Sequence, residues 1–403
     1  MNDLKEEWPG EASSNYPIEI DRTEEKIEMK QCYLCGKTIT EENKSVEHIV
    51  LNSLGGRLKS AQLICRSCNS KFGNTIDANL SKQLNFFANF LDIKRENGTV
   101  PDVEMLKAST GEKFKVTSKG IPILAKPLLK ETPCGDGTTI QIKARSEKEL
   151  KGILIGLRKK HPTVNPEECM GNATKVKEYI SEPLTIELTI GGEESFPAIL
   201  KMAINYYIEK TGDIASVKDA INDLKNNLTN KVEPIILKDP LFDLAESEVV
   251  HSIFVNCSGT EHKIYAIIEL YSSIQFVVKL SEHYSGDDEQ DLYVYDVLER
   301  KELKREIKTP PSFSEMFVFK YSSSRPDFAL LRKRIERLIA IGTKRKNQIY
   351  VSEAIAKTMA ATLQRLPEGH IITAENISLF VNEFMKNIEP FFANNFSCCN
   401  GPS

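Results

Sequence analysis

The sequence lacks any apolar run of the roughly 18 residues that a membrane-spanning helix needs. Its N-terminus also lacks the basic start and apolar stretch of a secretory signal. Its nine cysteines are too sparse over 403 residues to form a disulfide scaffold. These absences argue against a membrane protein and a disulfide-stapled secreted domain. They predict a cytoplasmic protein with reduced thiols and no membrane partner.

Strong net basicity is missing as well. The formal net charge is -4, so any nucleic-acid surface must be local rather than a property of the whole chain. The charge is uneven: residues 1–28 carry nine acidic and three basic side chains, whereas residues 29–84 carry eight basic and four acidic ones. We therefore expect an acidic, disordered tail over residues 1–28 and a domain boundary near residue 29.

The chain beyond residue 95 shows mixed strand and helix patterns. TTIQIKAR and IELTI predict strands, FPAILKMAINYYIEKTG predicts a helix that ends at a glycine, and VVHSIFVNC, KIYAIIELY and IQFVVKLS predict three successive strands. The last ninety or so residues show helical spacing of apolar side chains. The sequence thus predicts an α+β accessory domain with a mostly antiparallel sheet over residues 96–310. A helical C-terminal region follows over residues 311–403.

Four cysteines form two pairs with the spacing of a metal site. Cys32-x2-Cys35 and Cys65-x2-Cys68 are separated by 29 residues. Each tight turn aims two thiolates at one point, which suits tetrahedral zinc better than four unrelated thiols would. The separation exceeds the roughly 15–20 residues of common zinc ribbons, so a further element lies between the pairs.

The inserted segment contains Glu47-His48, and Asn69 directly follows the fourth cysteine. With these residues the sequence resembles the zinc-stapled branch of the HNH endonucleases. The match runs through both cysteine pairs, Glu47-His48-Ile49, the Leu54-Gly55-Gly56 loop, the AQLIC segment and Asn69. The resemblance implies a small zinc-containing ββα-metal nuclease module over residues 29–95. A helix is expected from about Asn69 to the Asn97-Gly98 turn.

The resemblance also assigns chemical roles. His48 would be the general base, and Glu47 and Asn69 would be hard oxygen ligands for a catalytic Mg²⁺ or Mn²⁺. The middle residue of the family pattern is an asparagine that orients the histidine, and this sequence has no asparagine at that place. Ser60, Gln62 and Asn52 are the alternatives; Gln62 offers the same amide oxygen and is taken as the fourth catalytic residue.

Several charged residues have two interpretations. Arg57, Lys59, Arg66 and Lys71 would contact phosphates, or they form a solvated face. Asp77 is a further polar residue of the site, or it caps or pairs within its own helix. Residues 325–346 carry eight basic and two acidic side chains, which predicts either a helix that follows a phosphate backbone or a solvated helix face.

The predicted function is metal-dependent hydrolysis of nucleic-acid phosphodiester bonds, with double-stranded DNA as the substrate. A role in bacterial restriction or antiphage defence is a family-level analogy. Residues 96–403 would then sense a signal, bind a regulatory partner or form a homo-oligomer. The competing hypothesis is a zinc-dependent nucleic-acid-binding regulator with a degenerate module that does not cleave.

Overall fold

Helices and antiparallel sheets alternate along the chain. The computed structural model describes residues 30–135, 137–176, 180, 182–308, 310–318, 328–366, 369 and 373–396. The predicted acidic tail over residues 1–28 lies outside the described residues. The α-helices are α1 (Arg66–Gly73), α2 (Ile76–Gln83), α3 (Asn85–Phe90), α4 (Glu147–Lys160), α5 (Pro166–Gly171), α6 (Phe196–Thr211), α7 (Lys218–Lys225), α8 (Phe313–Val318), α9 (Phe328–Leu363) and α10 (Ala374–Phe396).

The strands pair antiparallel throughout the described residues. They are β1 (Glu47–His48), β2 (Lys59–Ser60), β3 (Val103–Lys107), β4 (Lys113–Val116), β5 (Pro122–Leu124), β6 (Leu128–Cys134), β7 (Gly137–Lys143), β8 (Leu184–Thr185), β9 (Val232–Ile235), β10 (Val250–Ser258), β11 (Lys263–Leu270), β12 (Ile274–Ser281), β13 (Glu289–Asp296) and β14 (Lys301–Glu302). The largest sheet has the order β14-β13-β10-β11-β12-β9, and a second sheet has the order β5-β4-β3-β8.

The three apolar runs predicted as successive strands are β10, β11 and β12 at the centre of the largest sheet. Nearly every residue of these strands is buried, because both faces of the sheet are covered. The mixture of helices and sheets and the helical C-terminal region are therefore confirmed. The predicted IELTI strand is wrong: β8 ends at Thr185, just before that run. Leu188 and Ile190 stay 38% and 36% exposed, so no buried face favours a longer strand there.

The helix expected after Asn69 is broken into α1, α2 and α3. The first break falls at Asn74 and Thr75, where the Thr75 hydroxyl donates to the carbonyl of Lys71, 2.8 Å away. The second break falls at Leu84, which is fully buried. The breaks let three short helices wrap around apolar side chains that one straight helix could not all bury.

Helix α6 lies between the N-terminal module and the large sheet. It is buried over nearly its whole length and ends at Gly212, whose φ of +71° is the left-handed conformation that favours glycine at a helix end. One hydrophobic core contains Ile49 and Leu80 of the module, Ile204 of α6 and Ile268 of β11. The predicted division at residues 95 and 96 stays a prediction, since apolar packing continues across it.

The Leu54-Gly55-Gly56 loop docks on the large sheet. The carbonyl of Leu54 accepts hydrogen bonds from His251 Nε2 at 2.9 Å and from the Tyr271 hydroxyl at 3.0 Å. A Cβ at Gly56 would lie 2.0 Å from the carbonyl oxygen of Val50, so no larger residue fits there. Gly56 is therefore needed because the loop passes close to the backbone of Val50, just after β1.

Part of the basic stretch over residues 325–346 docks α9 against the sheet domain. Arg334 donates to Gln275 Oε1 at 2.6 Å, and Arg337 donates to the carbonyls of Ala245 and Glu248, both at 2.8 Å. Arg334 and Arg337 are therefore engaged in contacts within the protein, which neither of the two predicted interpretations included.

Among the described residues, no helix is long and apolar enough to cross a membrane.

Lowering the pH is expected to weaken the docking of the Leu54-Gly55-Gly56 loop on the large sheet. In the neutral tautomer of His251, Nε2–H donates to Leu54 and Nδ1 accepts from the backbone N–H of Tyr271. Burial lowers the pKa of His251 from 6.5 to about 4, so the unfolded chain takes up a proton first as the pH falls. Stability from this group is complete above about pH 6.5 and declines towards pH 4, by on the order of 3 kcal/mol.

Urea unfolding of the wild type and His251→Phe at several pH values measures this loss. The variant should lose that part of the acid dependence, whereas His283→Gln, at an exposed histidine, should keep it. Identical pH profiles for the wild type and His251→Phe would contradict the assignment.

Candidate active site and zinc centre

The four predicted cysteines converge at one point. The sulfurs of Cys32, Cys35, Cys65 and Cys68 all lie within 4.8 Å of one another. Tetrahedral zinc with Zn–S bonds of about 2.3 Å places sulfurs roughly 3.8 Å apart. The observed Cys35–Cys65 separation of 3.7 Å agrees with that geometry. The donor set and its spacing therefore fit a structural zinc ion.

Local backbone geometry explains why the sulfurs meet. In the first knuckle, the turn that holds Cys32 and Cys35, the N–H of Gly36 donates to Cys32 O at 2.8 Å, and Gly36 takes a φ of +72° to close the turn. In the second knuckle Cys65 is the residue before α1, and Cys68 lies in the first turn of that helix. The N–H of Tyr33 donates to Leu63 O at 3.2 Å and ties the two knuckles together.

Glu47 and His48 form strand β1, which pairs with β2. Consecutive strand residues point to opposite faces, and Glu47 is indeed buried at 2% exposure while His48 is half-buried. The strand ends at His48, and both side chains line one cavity of about 220 Å³. Asn69 of α1 and Asp77 of α2 also line it. The structure thus brings together three of the four predicted catalytic residues.

Helix α6 supplies two side chains to Glu47 from outside the predicted module. Lys201 Nζ lies 2.7 Å from Glu47 Oε1, and Asn205 Nδ2 donates to the same oxygen at 3.1 Å. The two residues are one helical turn apart and therefore share a face. The Tyr33 hydroxyl donates to Asn205 Oδ1 at 2.7 Å and fixes that amide. Glu47 is accordingly held by a network rather than free to turn.

Lys201 also binds Asp77. Its Nζ lies 2.6 Å from Asp77 Oδ2, and Lys201 is fully buried. Burial alone would lower the pKa of Lys201, but the carboxylates of Asp77 and Glu47 outweigh burial and raise it, so the ammonium stays charged. Asp77 therefore pairs with α6 rather than within its own helix. Its Oδ1 is buried and has no hydrogen-bond partner.

His48 is oriented by a residue that the sequence did not indicate. His48 Nε2 lies 3.1 Å from Glu96 Oε2, and Lys59 Nζ lies 2.9 Å from Glu96 Oε1. The N–H of Glu96 donates to Asn52 Oδ1 at 2.9 Å. Burial lowers the pKa of His48, and the Glu96 contact only partly opposes this, which favours the neutral imidazole.

The expectation that Gln62 orients His48 is not met by the geometry. Gln62 is exposed, and its Oε1 accepts a hydrogen bond from Lys30 instead. Strand β2 ends at Ser60, so Gln62 lies beyond the segment that faces β1. Asn52, which the sequence offered as another candidate, acts on His48 only through Glu96. Glu96 lies one residue past the predicted module boundary.

Asn69 and the buried carboxylates offer oxygens that could hold a divalent cation. Asn69 Nδ2 donates to Ser45 Oγ at 2.8 Å and to the carbonyl of Val46 at 3.3 Å. The amide nitrogen is thus used by the chain, and Oδ1 remains as the atom that could bind a cation. Mg²⁺ is commonly bound by one or two carboxylates with waters completing its shell. The unpartnered Asp77 Oδ1 and these oxygens fit such an ion. Within the described chain, only the four cysteines form a compact group of three or more His, Cys, Asp or Glu ligands.

The four basic residues predicted to contact phosphate fall into two pairs. Arg57 donates to Asn52 Oδ1 at 2.9 Å and to the carbonyl of Lys94, and Lys59 is paired with Glu96. Arg66 and Lys71 are exposed on α1. The first pair therefore has structural partners beside the cavity, and the second pair projects from the helix that carries Asn69.

Comparison with known families identifies the module. Residues 32–85 match the family model of the HNH endonucleases. No curated protein and no solved structure matches the chain. The predicted resemblance and the predicted fold class, with an N-terminal HNH module that carries a four-cysteine cluster, are confirmed. An HNH endonuclease module indicates a nuclease-type function and binding of nucleic acid.

Removing one zinc ligand should unfold the module. Zinc binding supplies much of the folding energy of small zinc domains, so Cys35→Ser should lose zinc and lower the thermal midpoint. Zinc content by mass spectrometry and thermal unfolding measure both effects. Cys134→Ser, at an exposed cysteine outside the cluster, is the matched control and should change neither. An unaltered midpoint in Cys35→Ser would show that zinc does not stabilise the module.

Proposed function

We propose that the HNH module hydrolyses phosphodiester bonds of double-stranded DNA with Mg²⁺ or Mn²⁺ as its catalytic ion. The observation that carries the proposal is the single cavity lined by Glu47, His48 and Asn69 beside the four-cysteine cluster. A structural zinc ion at those cysteines would fix the two strands and the helix that present these side chains. The zinc ion has no role in the reaction itself.

His48 acts as the general base in this proposal. Glu96 holds Nε2–H of the imidazole, which leaves the lone pair of Nδ1 to take a proton from the attacking water. Glu47 and Asn69 would hold the divalent ion, which stabilises negative charge on the phosphate and the leaving oxygen. Lys59 and Arg57 hold Glu96 and Asn52 in place beside His48.

Arg66 and Lys71 are the proposed phosphate contacts. Both are exposed on α1, so a duplex that reaches the cavity passes the helix that carries Asn69. Such contacts position the backbone and do not read sequence. Restriction or antiphage defence, with the accessory residues 96–403 binding a signal, a partner or a second copy, is the cellular role we propose by analogy with the family.

One observation favours the alternative of a regulator that binds nucleic acid without cleaving it. Glu47, the proposed metal ligand, already carries an ion pair with Lys201. A cation in that position reduces the negative charge that attracts a divalent ion. Metal-dependent cleavage distinguishes the two functions.

Replacement of the base should abolish cleavage. His48→Ala should lose plasmid nicking and linearisation in Mg²⁺ or Mn²⁺ by at least about 100-fold, because no other group takes the proton. Zinc content and thermal midpoint should stay at wild-type values. EDTA should stop the wild-type reaction, and His283→Ala should cleave normally. Full activity in His48→Ala would overturn the assignment of the base.

Loss of Glu96 should slow cleavage without weakening DNA binding. Glu96→Ala frees the imidazole to rotate, and we expect a loss of roughly 10- to 100-fold, by analogy with the outer partners that orient metal-binding histidines. Single-turnover cleavage and duplex binding by fluorescence anisotropy would separate the two effects. Glu42→Ala, at an exposed glutamate of the same module, is the control. Faster cleavage in Glu96→Ala would mean that Glu96 blocks His48 instead of orienting it.

A further inference from the structure

Two carboxylates and one ammonium are buried together at the cavity. Glu47 is 2% exposed, Asp77 9% and Lys201 0%. Lys201 is the only cation that the structure pairs with either carboxylate among the described residues. With both carboxylates ionised, one buried negative charge has no partner in the chain, which is strongly unfavourable unless a positive partner binds.

Each carboxylate gives only one oxygen to this network. Lys201 and Asn205 both bind Oε1 of Glu47, and Lys201 binds Oδ2 of Asp77. The other oxygen of Asp77, Oδ1, is buried without a partner. Nearly all buried polar atoms in native proteins have a partner, so this oxygen needs a ligand that the chain itself does not provide.

We infer that Asp77 is a further ligand of the catalytic divalent cation and that Lys201 is a positioning residue for Asp77 and Glu47. The inference rests on the proposed function, because it concerns the ion placed there at Glu47 and Asn69. Asp77 lines the same cavity as those two residues. Two carboxylates, one amide oxygen and waters form a donor set that Mg²⁺ and Mn²⁺ accept.

Lys201 has opposite effects on the empty and the loaded site. Without a divalent ion, it keeps two like charges side by side that would otherwise repel each other. With the ion bound, the same ammonium repels it and weakens binding. Lys201 therefore stabilises a prepared site and sets its affinity for metal below the maximum. Helix α6, which lies outside residues 32–85, is part of the nuclease site.

The first test measures Mn²⁺ binding to the zinc-loaded full chain by electron paramagnetic resonance. Asp77→Asn should weaken Mn²⁺ binding by at least about tenfold, since even outer partners of a metal contribute roughly 10- to 100-fold. Asp291→Asn is the matched control, because Asp291 also pairs with a lysine of α6, Lys210, but lies away from the cavity. Wild-type affinity in Asp77→Asn would overturn the ligand assignment.

The second test separates the positioning role from simple core stability. Lys201→Met should lower the metal-free thermal midpoint, tighten Mn²⁺ binding by about fivefold or more, and show a larger Mn²⁺-induced rise in midpoint than the wild type. A merely structural lysine would lower the midpoint and leave the Mn²⁺ response unchanged. That outcome, or weaker Mn²⁺ binding, would overturn the role of Lys201.

A double variant keeps the second test decisive if Lys201→Met does not fold. Lys201→Met with Asp77→Asn leaves one unpaired buried carboxylate instead of two, and it should bind Mn²⁺ more tightly than Asp77→Asn alone. Equal or weaker binding would contradict the inference. Cleavage by the wild type with no effect of Asp77→Asn would refute the inference alone, whereas absence of both Mn²⁺ binding and cleavage in the wild type would refute the proposed function.

Discussion

The arrangement of the site depends on the buried ion pairs of Lys201 with Glu47 and Asp77. Moving three charged groups out of water is costly, and only close pairing in good geometry offsets that cost. Lys201 pairs with both Glu47 and Asp77 only when α6, β1 and α2 hold one relative position. A shift of any of the three elements would leave a charge buried and unpaired, so the ion pairs specify the position of α6 against the module. Apolar packing alone would tolerate more variation.

Other contacts between the module and the accessory region reinforce this position. Gln83 of α2 exchanges two hydrogen bonds with the backbone of Gly191, just ahead of α6. On the opposite flank, the Leu54 carbonyl accepts hydrogen bonds from His251 of β10 and from Tyr271 of the turn that follows β11. The cavity is thus framed by segments that the large sheet supports.

The limits of the sequence follow from the distances along the chain. The zinc ligands and the Glu47-His48 pair were predictable because spacing within one short segment determines their geometry. Lys201 and Asn205 were not, since polar residues within a mostly apolar helix give no sign of which side chains they contact. Glu96 was missed for the same reason: it reaches His48 across 48 residues of chain. The structure does not bring Gln62 to His48, because β2 ends at Ser60 and Gln62 lies beyond it. The prediction had transferred a family position by sequence order alone.

The zinc centre connects the proposed DNA contacts with the proposed catalytic residues through helix α1. Arg57 and Lys59 already have partners beside His48, which leaves Arg66 and Lys71 of α1 as the proposed contacts with the phosphate backbone. The same helix carries Asn69, and Cys65 and Cys68 anchor its first turn. In the proposed function, a phosphate bound by α1 would be positioned relative to Asn69 by the first turns of that helix. In the proposed function, local basic charge on α1 would provide the phosphate contacts of a protein whose formal net charge is -4.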